Sequence, residues 1–273
     1  MTISASDVMK LRKATGAGMM DCKKALTEAN GDFDEAVKII REKGKAVAMK
    51  RADREASEGA VLSAANAEGT FGAIVALNCE TDFVAMNEDF VAFTKQVLET
   101  AIKNKAKNLD ELNALKIDGH TIADIVTEKT GVIGEKIELS AYECVDTACV
   151  VSYIHPGNKL ATLAGFSKVI DTQAARDIAM QVAAMNPVAI DESGVPQNIL
   201  DNELEIAKEK FRQEGKPENM LDQIAQGAVK KFLKENTLVN QPFIKDNKST
   251  VQQYLKSVDG SLTVTGMKRV SLG

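Results

Sequence analysis

One segment, residues 71–97, constrains the fold of this chain more than any other. It opens with a run of apolar residues around Ile74 that is long enough for one buried β-strand. After Cys79 the sequence becomes polar, and beyond Asn87 the apolar residues recur at helical spacing, with Asn87 itself placed to cap the helix. We therefore predict a buried strand and an amphipathic helix joined by a short polar turn.

The predicted turn carries Thr81, Asp82, Phe83 and Val84. Functional residues are often placed on loops that rigid elements hold from both sides. A large apolar side chain such as Phe83 has two interpretations here, because it either contacts a partner or fills the core beside the turn. The first interpretation predicts an exposed ring, and the second predicts a buried one.

Composition limits the classes of function. The 273 residues suffice for two or three domains, and the net charge of −5 comes from well-mixed acidic and basic residues. This charge argues against a protein that binds nucleic acid through a broad basic face. Because only 4% of the residues are aromatic, the cores are expected to be mainly aliphatic. With no apolar run near the ~18 residues of a membrane span and no signal-peptide pattern, we expect a cytoplasmic protein without a membrane partner.

Residues that could carry chemistry are sparse. The sequence has no CxxC pair, phosphate-binding loop or nucleophile elbow, and we expect neither a metal nor a cofactor. The catalytic alternative is a nucleophile–base couple that joins His155 to Cys144 or Cys149. The adjoining Pro156-Gly157 instead favours an exposed loop for His155. We therefore expect a protein that has no catalytic residues and acts through its interactions.

The first part of the chain predicts three short helices. Ser4 and Asp32 are placed as N-caps of the first and third helices, the second covers residues 19–30, and the third is expected to stop at Gly44. Residues 43–58 are charged and rich in alanine, which predicts a helical linker. A nucleic-acid-binding arm is the weaker alternative, because no aromatic residues are interleaved for stacking.

Two methionines, Met19 and Met20, follow the glycine-rich turn between the first two helices. Methionine adapts to the surfaces of partners, so both side chains are candidates for a contact surface. Three short helices also need every apolar residue for their own core. We expect at least one of the two methionines to lie in that core.

The remaining sequence predicts strands and helices in alternation. Strands are expected over residues 60–65, 71–79, 136–145, 149–155, 160–166 and 262–264. Helices are expected over residues 88–104, 121–129 (ending at Gly131), 174–185, 199–213 and 220–232. The last two helices flank a Gly-Lys-Pro turn and predict a projecting antiparallel hairpin. Two strand–strand–helix blocks occur in tandem, which suggests internal duplication of a small α+β subdomain.

Several long motifs occur in order along the chain: Leu11-Arg12, residues 15–26 (TGAGMMDCKKAL), residues 78–84 (NCETDFV), Ala183-Ala184, residues 215–217 (GKP) and residues 241–243 (QPF). In these motifs the chain resembles the bacterial elongation factor Ts family, the nucleotide exchange factors of the GTPase elongation factor Tu. Two features depart from the family pattern. Ala228 stands where the family often has Arg after Gly, and the sequence stops at Gly273 without the C-terminal helix that some members add. We expect any partner contact made by that helix to be absent.

The resemblance implies an α+β fold with four parts. A three-helix domain like the ubiquitin-associated domain, with its linker, would span residues 1–54. Two related α+β subdomains would form the core. The first would span residues 55–140, and the second would combine residues 141–190 with residues 235–273. An inserted antiparallel helical hairpin of the coiled-coil type would span residues 191–234.

The resemblance also implies a site and a partner. In the family, the loop that matches residues 81–84 enters the GTPase near the magnesium ion of its nucleotide and promotes release of GDP. Whether Asp82 disturbs magnesium binding or repels phosphate stays open. The further residues expected to contact the partner are Arg12, Met19, Met20 and His155.

The implied partner is elongation factor Tu, in its GDP-bound and nucleotide-free forms. A second copy of the chain, joined through the helical hairpin, is a further candidate, and no direct contact with nucleic acid is expected. The alternative function is a non-catalytic helical adaptor without exchange activity. Only the first hypothesis predicts faster release of GDP from elongation factor Tu.

Overall fold

The computed structural model describes residues 3–272, which form an α+β protein with a helical N-terminal region. The helices are α1 (Ala5–Thr15), α2 (Met19–Glu28), α3 (Phe33–Lys50), α4 (Asp82–Ala85), α5 (Glu88–Asn104), α6 (Leu109–Ala114), α7 (Ile122–Ile133), α8 (Thr172–Met185), α9 (Gln197–Gln213), α10 (Glu218–Asn236) and α11 (Val251–Val258). The strands are β1 (Glu58–Ala65), β2 (Phe71–Cys79), β3 (Lys116–Ile117), β4 (His120–Thr121), β5 (Glu138–Asp146), β6 (Cys149–Ile154), β7 (Leu160–Phe166), β8 (Pro242–Phe243), β9 (Asp246–Thr250) and β10 (Val264–Ser271).

The chain divides into two compact units. The first contains the residues up to Leu62, residues 75–142 and the C-terminal end from Leu272. The second contains residues 63–74 and 143–271. The four-part division expected from the sequence, whose outer limits include residues outside the described range, stays a prediction.

The three N-terminal helices form as their caps predict. Ser4 Oγ accepts a hydrogen bond from the Asp7 N–H at 3.2 Å, and Asp32 Oδ1 accepts one from the Glu35 N–H at 2.9 Å. Gly16 ends α1 in the left-handed conformation, with φ of 73°. Small and aliphatic side chains fill the core between the helices: Val8, Leu11, Ala17, Cys22, Ala25, Leu26, Ala29 and Ala36.

Two glycines that the sequence presents as helix ends lie inside helices instead. The predicted stop at Gly44 is wrong, because α3 runs on to Lys50, and the predicted end at Gly131 is wrong, because α7 runs on to Ile133 and is capped by Gly134. The two glycines face each other where α3 packs on α7. A Cβ built on Gly131 would lie 2.2 Å from the Cα of Gly44. Close approach of two backbones, and not helix termination, therefore explains both residues.

Two three-stranded sheets share one connectivity. Their strand orders are β1-β2-β5 and β6-β7-β10. In the first sheet, the hairpin β1-β2 is followed by α5, and β5 then pairs with β2. In the second sheet, the hairpin β6-β7 is followed by α8, and β10 then pairs with β7. This agreement supports the predicted internal duplication of an α+β subdomain.

The last strand differs from its prediction over residues 262–264. β10 covers Val264–Ser271 and pairs antiparallel with β7, from Val264 opposite Phe166 to Ser271 opposite Leu160. It lies at the edge of its sheet, where charged side chains are common. Because Lys268 and Arg269 interrupt the apolar pattern, periodicity did not mark this strand.

The helical hairpin of α9 and α10 is confirmed. Gly215, with φ of 77°, makes the turn, and the two helices pack against each other. The base of the hairpin is closed by the backbone, since the Val188 N–H donates to Asn236 O at 2.8 Å and the Leu238 N–H donates to Ala189 O at 2.9 Å. Among the described residues, no helix has the length and apolar character needed to cross a membrane.

Candidate functional site

The loop that carries Phe83 is held at both ends by regular structure. It leaves the almost fully buried strand β2, and Thr81 then caps the single turn of α4. Asn87 Oδ1 caps α5 by accepting hydrogen bonds from the N–H groups of Asp89 and Phe90, at 2.9 and 3.3 Å. The predicted strand, turn and capped helix are thus all present, and the turn itself contains one extra helical turn. The loop therefore has little backbone freedom.

Phe83 lies at the exposed tip of this loop. The residue is 80% exposed, so the interpretation that it fills the core is wrong. Asp82 is exposed beside it, Val84 is half-buried, and Ala85 is buried as the anchor of the helical turn. An exposed ring next to an exposed carboxylate is suited to contact with another molecule.

Thr81 is held by a carboxylate that is distant in sequence. The Thr81 N–H donates to Glu135 Oε2 at 3.0 Å, and the Thr81 hydroxyl donates to Glu135 Oε1 at 2.7 Å. Glu80 Oε1 in turn accepts hydrogen bonds from the Lys136 N–H at 2.6 Å and from Arg51 Nη1 at 2.7 Å. The Lys136 N–H, and after it the Arg51 guanidinium, lowers the pKa of the Glu80 carboxyl from its ordinary value.

Cys79 lies buried directly below the loop. Its thiol donates to the Thr81 carbonyl oxygen, with Sγ 3.2 Å from the oxygen. Burial, followed by the charge of Glu135, raises the pKa of the Cys79 thiol to about 12. Because a nucleophilic cysteine must be a thiolate, this side chain supports the loop and is not a reactive group.

A cavity of about 850 Å³ opens beside the loop. Phe83 and Val84 form one part of its wall, and the end of α1 from Lys13 to Gly16 forms another. Between them the floor is made by apolar side chains of α5 and α7, including Phe90, Phe93 and Val132. The cavity has the size and the partly apolar character of a binding site.

The predicted contact residues of the N-terminal helices lie outside this cavity. Arg12 is exposed near the end of α1, and the side chains of Met19 and Met20 are 40% and 64% exposed. The expectation that one methionine fills the core is wrong, because Cys22, Ala25 and Leu26 supply the buried face of α2. Both methionines are therefore free to contact a partner.

This chain is similar over its whole length to known proteins. Residues 80–273 match the family model described as Elongation factor TS. The protein named Elongation factor Ts from Porphyromonas gingivalis is 58% identical over 273 residues, covering 100% of this chain and 99% of that protein. The proteins of the same name from Christiangramia forsetii and Flavobacterium psychrophilum are 54% and 52% identical, each over 99% of its own length and at least 99% of this chain.

The chain belongs to the elongation factor Ts family. It is therefore a translation elongation factor with a role in protein biosynthesis. The resemblance seen in the sequence motifs is confirmed, and the family match includes the exposed loop at residues 81–84.

His155 lies in the exposed turn between β6 and β7, in the second compact unit. Its Nδ1 is 3.0 Å from the Tyr153 hydroxyl oxygen. Cys149 begins the strand that His155 follows, so six residues of extended chain, roughly 20 Å, separate them. This distance contradicts a couple between His155 and Cys149.

Sequence reasoning missed Glu80, Glu135 and Arg51, although all three contribute to the base of the loop. The hydrogen bonds from Thr81 to Glu135 span 54 positions of the chain, and the Arg51–Glu80 ion pair spans 29. Periodicity and capping patterns report only neighbours in sequence. The one available signal was the position of Glu80 inside the motif at residues 78–84, next to Thr81.

Proposed function

We propose that this protein is the guanine nucleotide exchange factor of elongation factor Tu. It binds the GTPase and promotes release of GDP by inserting the loop at residues 81–84 near the magnesium and nucleotide site. The observation that carries the proposal is the 80% exposure of Phe83 on a loop held by flanking regular structure. Family membership supplies the partner, and no covalent chemistry is required of any residue.

Exchange requires that the factor bind the nucleotide-free GTPase more tightly than the nucleotide-bound form. By linkage, the factor by which it weakens GDP binding equals the factor by which GDP weakens its own binding. Burial of the Phe83 ring in a partner pocket supplies about 1.5–3 kcal/mol toward this coupling. Little of that free energy is lost to ordering, because the loop is held before it meets the partner.

Asp82 is the second group at the loop tip. Its carboxylate acts either by disturbing the ligands of magnesium or by repelling the phosphates of GDP, and the two actions depend differently on the ion. If Asp82 acts on magnesium, Asp82→Asn should slow exchange with magnesium present and have no effect when the ion is chelated. If Asp82 repels phosphate, the variant should be slower under both conditions.

The exposed surface of the N-terminal helices supplies further binding contacts in this proposal. Arg12, Met19 and Met20 contact the GTPase, and the cavity between Gly16 and Phe83 receives a segment of it. The partly apolar floor of the cavity and the mobile side chains of the methionines suit a partner with exposed aliphatic residues. His155, in the second compact unit, contacts a separate region of the partner.

The experiment is stopped-flow release of a fluorescent GDP analogue from elongation factor Tu. Phe83→Ala should slow release by about 5- to 150-fold, which corresponds to the loss of about 1–3 kcal/mol of coupling. Met49, which is also 80% exposed but lies on α3 outside the loop, provides the matched control, and Met49→Ala should exchange at the parental rate.

A folded Phe83→Ala protein with the parental exchange rate would refute the role of the loop. If the parental protein binds elongation factor Tu without accelerating GDP release, the adaptor hypothesis holds instead. Circular dichroism of each variant establishes that its fold is intact before the rates are compared.

A further inference from the structure

We propose that Glu135 and Arg51 are positioning residues of the loop at residues 81–84, which we call the exchange loop. In this proposal Thr81 belongs to the support of the loop and does not contact the partner. The proposal rests on the exchange function proposed above. It concerns a set of groups that we call the carboxylate clamp: Glu80 and Thr81 at the start of the loop, Glu135 and Lys136 before β5, and Arg51 after α3.

The clamp joins two chain segments by reciprocal hydrogen bonds. The Glu135 carboxylate accepts both donors of Thr81, and the neighbouring Glu80 carboxylate accepts the Lys136 N–H. The segment of Glu80 and Thr81 thus supplies one carboxylate and one backbone N–H, and the segment of Glu135 and Lys136 supplies the same two groups in return. Two adjacent pairs fix the direction of the chain as well as its position, which a single hydrogen bond does not do.

The hydrogen bonds of the clamp are of the strong kind. Each has a carboxylate as acceptor, and donor–acceptor distances from 2.6 to 3.0 Å are typical of charge-assisted bonds. The Glu80 side chain is only 18% exposed, and that of Arg51 is 34% exposed. Water therefore has limited access to the Glu80 carboxylate, whereas the Arg51 guanidinium stays partly open to it.

Thr81 transmits the clamp to the tip of the loop. Its hydroxyl donates to Glu135 Oε1 and, at the same time, accepts the Val84 N–H at 3.5 Å as the cap of α4. One oxygen atom therefore connects the clamp to the helical turn that carries Asp82 and Phe83. The only donor of the hydroxyl and one of its two acceptor positions are used inside the protein, so at most one acceptor position is left for a partner.

Loss of the clamp should leave the fold intact but let the loop leave its binding conformation. The apparent affinity of a site falls in proportion to the fraction of molecules that hold the competent conformation. Removal of both Glu135 hydrogen bonds by Glu135→Ala should lower the second-order rate constant of GDP exchange by about 10- to 100-fold. Arg51→Ala should lower it less, because Glu80 keeps the Lys136 N–H.

Thr81 offers a conservative pair of substitutions. Thr81→Ser keeps the hydroxyl and should exchange within about twofold of the parental rate. Thr81→Val keeps the shape and loses the hydroxyl, but its backbone N–H still donates to Glu135, so it should be clearly slower than Thr81→Ser and less impaired than Glu135→Ala. The double variant Thr81→Val, Glu135→Ala should lose less than the two single effects combined, because both single variants remove the same hydrogen bond between the Thr81 hydroxyl and Glu135. Glu138, which pairs with the Lys136 side chain at 3.1 Å on the same segment, gives the control, and Glu138→Ala should leave exchange unchanged.

The second measurement needs no partner. Hydrogen–deuterium exchange of residues 80–86 in the isolated protein should become faster in Glu135→Ala and Thr81→Val but not in Glu138→Ala, while thermal stability stays near the parental value. Unchanged amide exchange in Glu135→Ala would overturn the proposal, as would parental nucleotide exchange by that variant. If the parental protein does not accelerate GDP release, the exchange function fails, whereas the amide measurement still decides whether the clamp holds the loop.

Discussion

Alanine at Gly131 and alanine at Gly44 should change the stability of this protein in opposite directions. A Cβ on Gly131 would lie 2.2 Å from the Cα of Gly44 and 3.1 Å from its carbonyl carbon. A Cβ on Gly44 would meet nothing closer than the Cα of Gly131, at 3.6 Å, which is an ordinary van der Waals distance. The same contact between α3 and α7 therefore tolerates a methyl group from one side only.

The magnitudes follow from two opposing effects. Replacement of glycine by alanine inside a helix stabilises it by about 0.5–1 kcal/mol, and this gain applies to both positions. Insertion of a methyl group against rigid backbone costs about 1–3 kcal/mol, and this cost applies only at Gly131. We expect Gly44→Ala to raise the free energy of unfolding by about 0.5–1 kcal/mol and Gly131→Ala to lower it by about 1–2 kcal/mol.

Thermal unfolding followed by far-ultraviolet circular dichroism measures both effects. For a chain of this size, 1 kcal/mol corresponds to a shift in Tm of about 2–4 °C. Gly44→Ala should therefore unfold a few degrees above the parental protein, and Gly131→Ala should unfold a few degrees below it. Shifts of the same sign in the two variants would refute the proposed packing, because helix propensity alone treats the positions alike.

Two further predictions concern the second compact unit. Replacement of residues 197–236 by a short Gly/Ser linker should leave a folded protein with measurable exchange, because α9 and α10 pack mainly on each other. Loss of folding would contradict this, and light scattering of both proteins tests whether the hairpin joins two copies of the chain. His155→Ala should raise the concentration needed for half-maximal exchange by a few fold if the exposed ring makes the proposed contact, and Cys149→Ser should leave exchange unchanged. Collapse of exchange in the cysteine variant would restore the enzyme hypothesis.

Local sequence signals predicted most of the secondary structure. Ser4, Asp32 and Asn87 cap the helices they were expected to cap, and the hairpin strands of both sheets lie where the apolar runs predicted them. These features depend on atoms a few positions apart, so a single sequence contains the information. The exposure of Phe83 is different, because the sequence leaves both a partner contact and a place in the core open for this ring, and only the structure decides between them.

The features that sequence analysis missed depend on contacts between distant segments. A glycine at a helix end and a glycine at a helix crossing look the same in sequence, so the sequence predicts a helix end at both Gly44 and Gly131. β10 carries lysine and arginine because it is an edge strand, and its position became clear only from its pairing with β7. Glu135 lies in a polar stretch without periodicity, and its function depends on Thr81, 54 positions away.

Contacts between α3 and segments distant in sequence connect the N-terminal region of the chain to the base of the exchange loop. Arg41 pairs with Glu128 of α7 at 2.9 Å, Gly44 meets Gly131 on the same helix, and Arg51 then pairs with Glu80 beside the loop at 2.7 Å. Arg41 and Arg51 are about 15 Å apart along α3, so this helix runs from α7 to the base of the loop.

A truncation of residues 1–54 would therefore remove part of the carboxylate clamp together with the proposed binding surface of the three helices. Weaker exchange in such a truncation would not distinguish lost contacts from a loosened loop. Arg51→Ala separates the two effects, because it leaves Arg12, Met19 and Met20 in place. If that single change reproduces a large share of the truncation defect, support of the loop is a main contribution of α3, and the N-terminal helices bind the partner and position the exchange loop together.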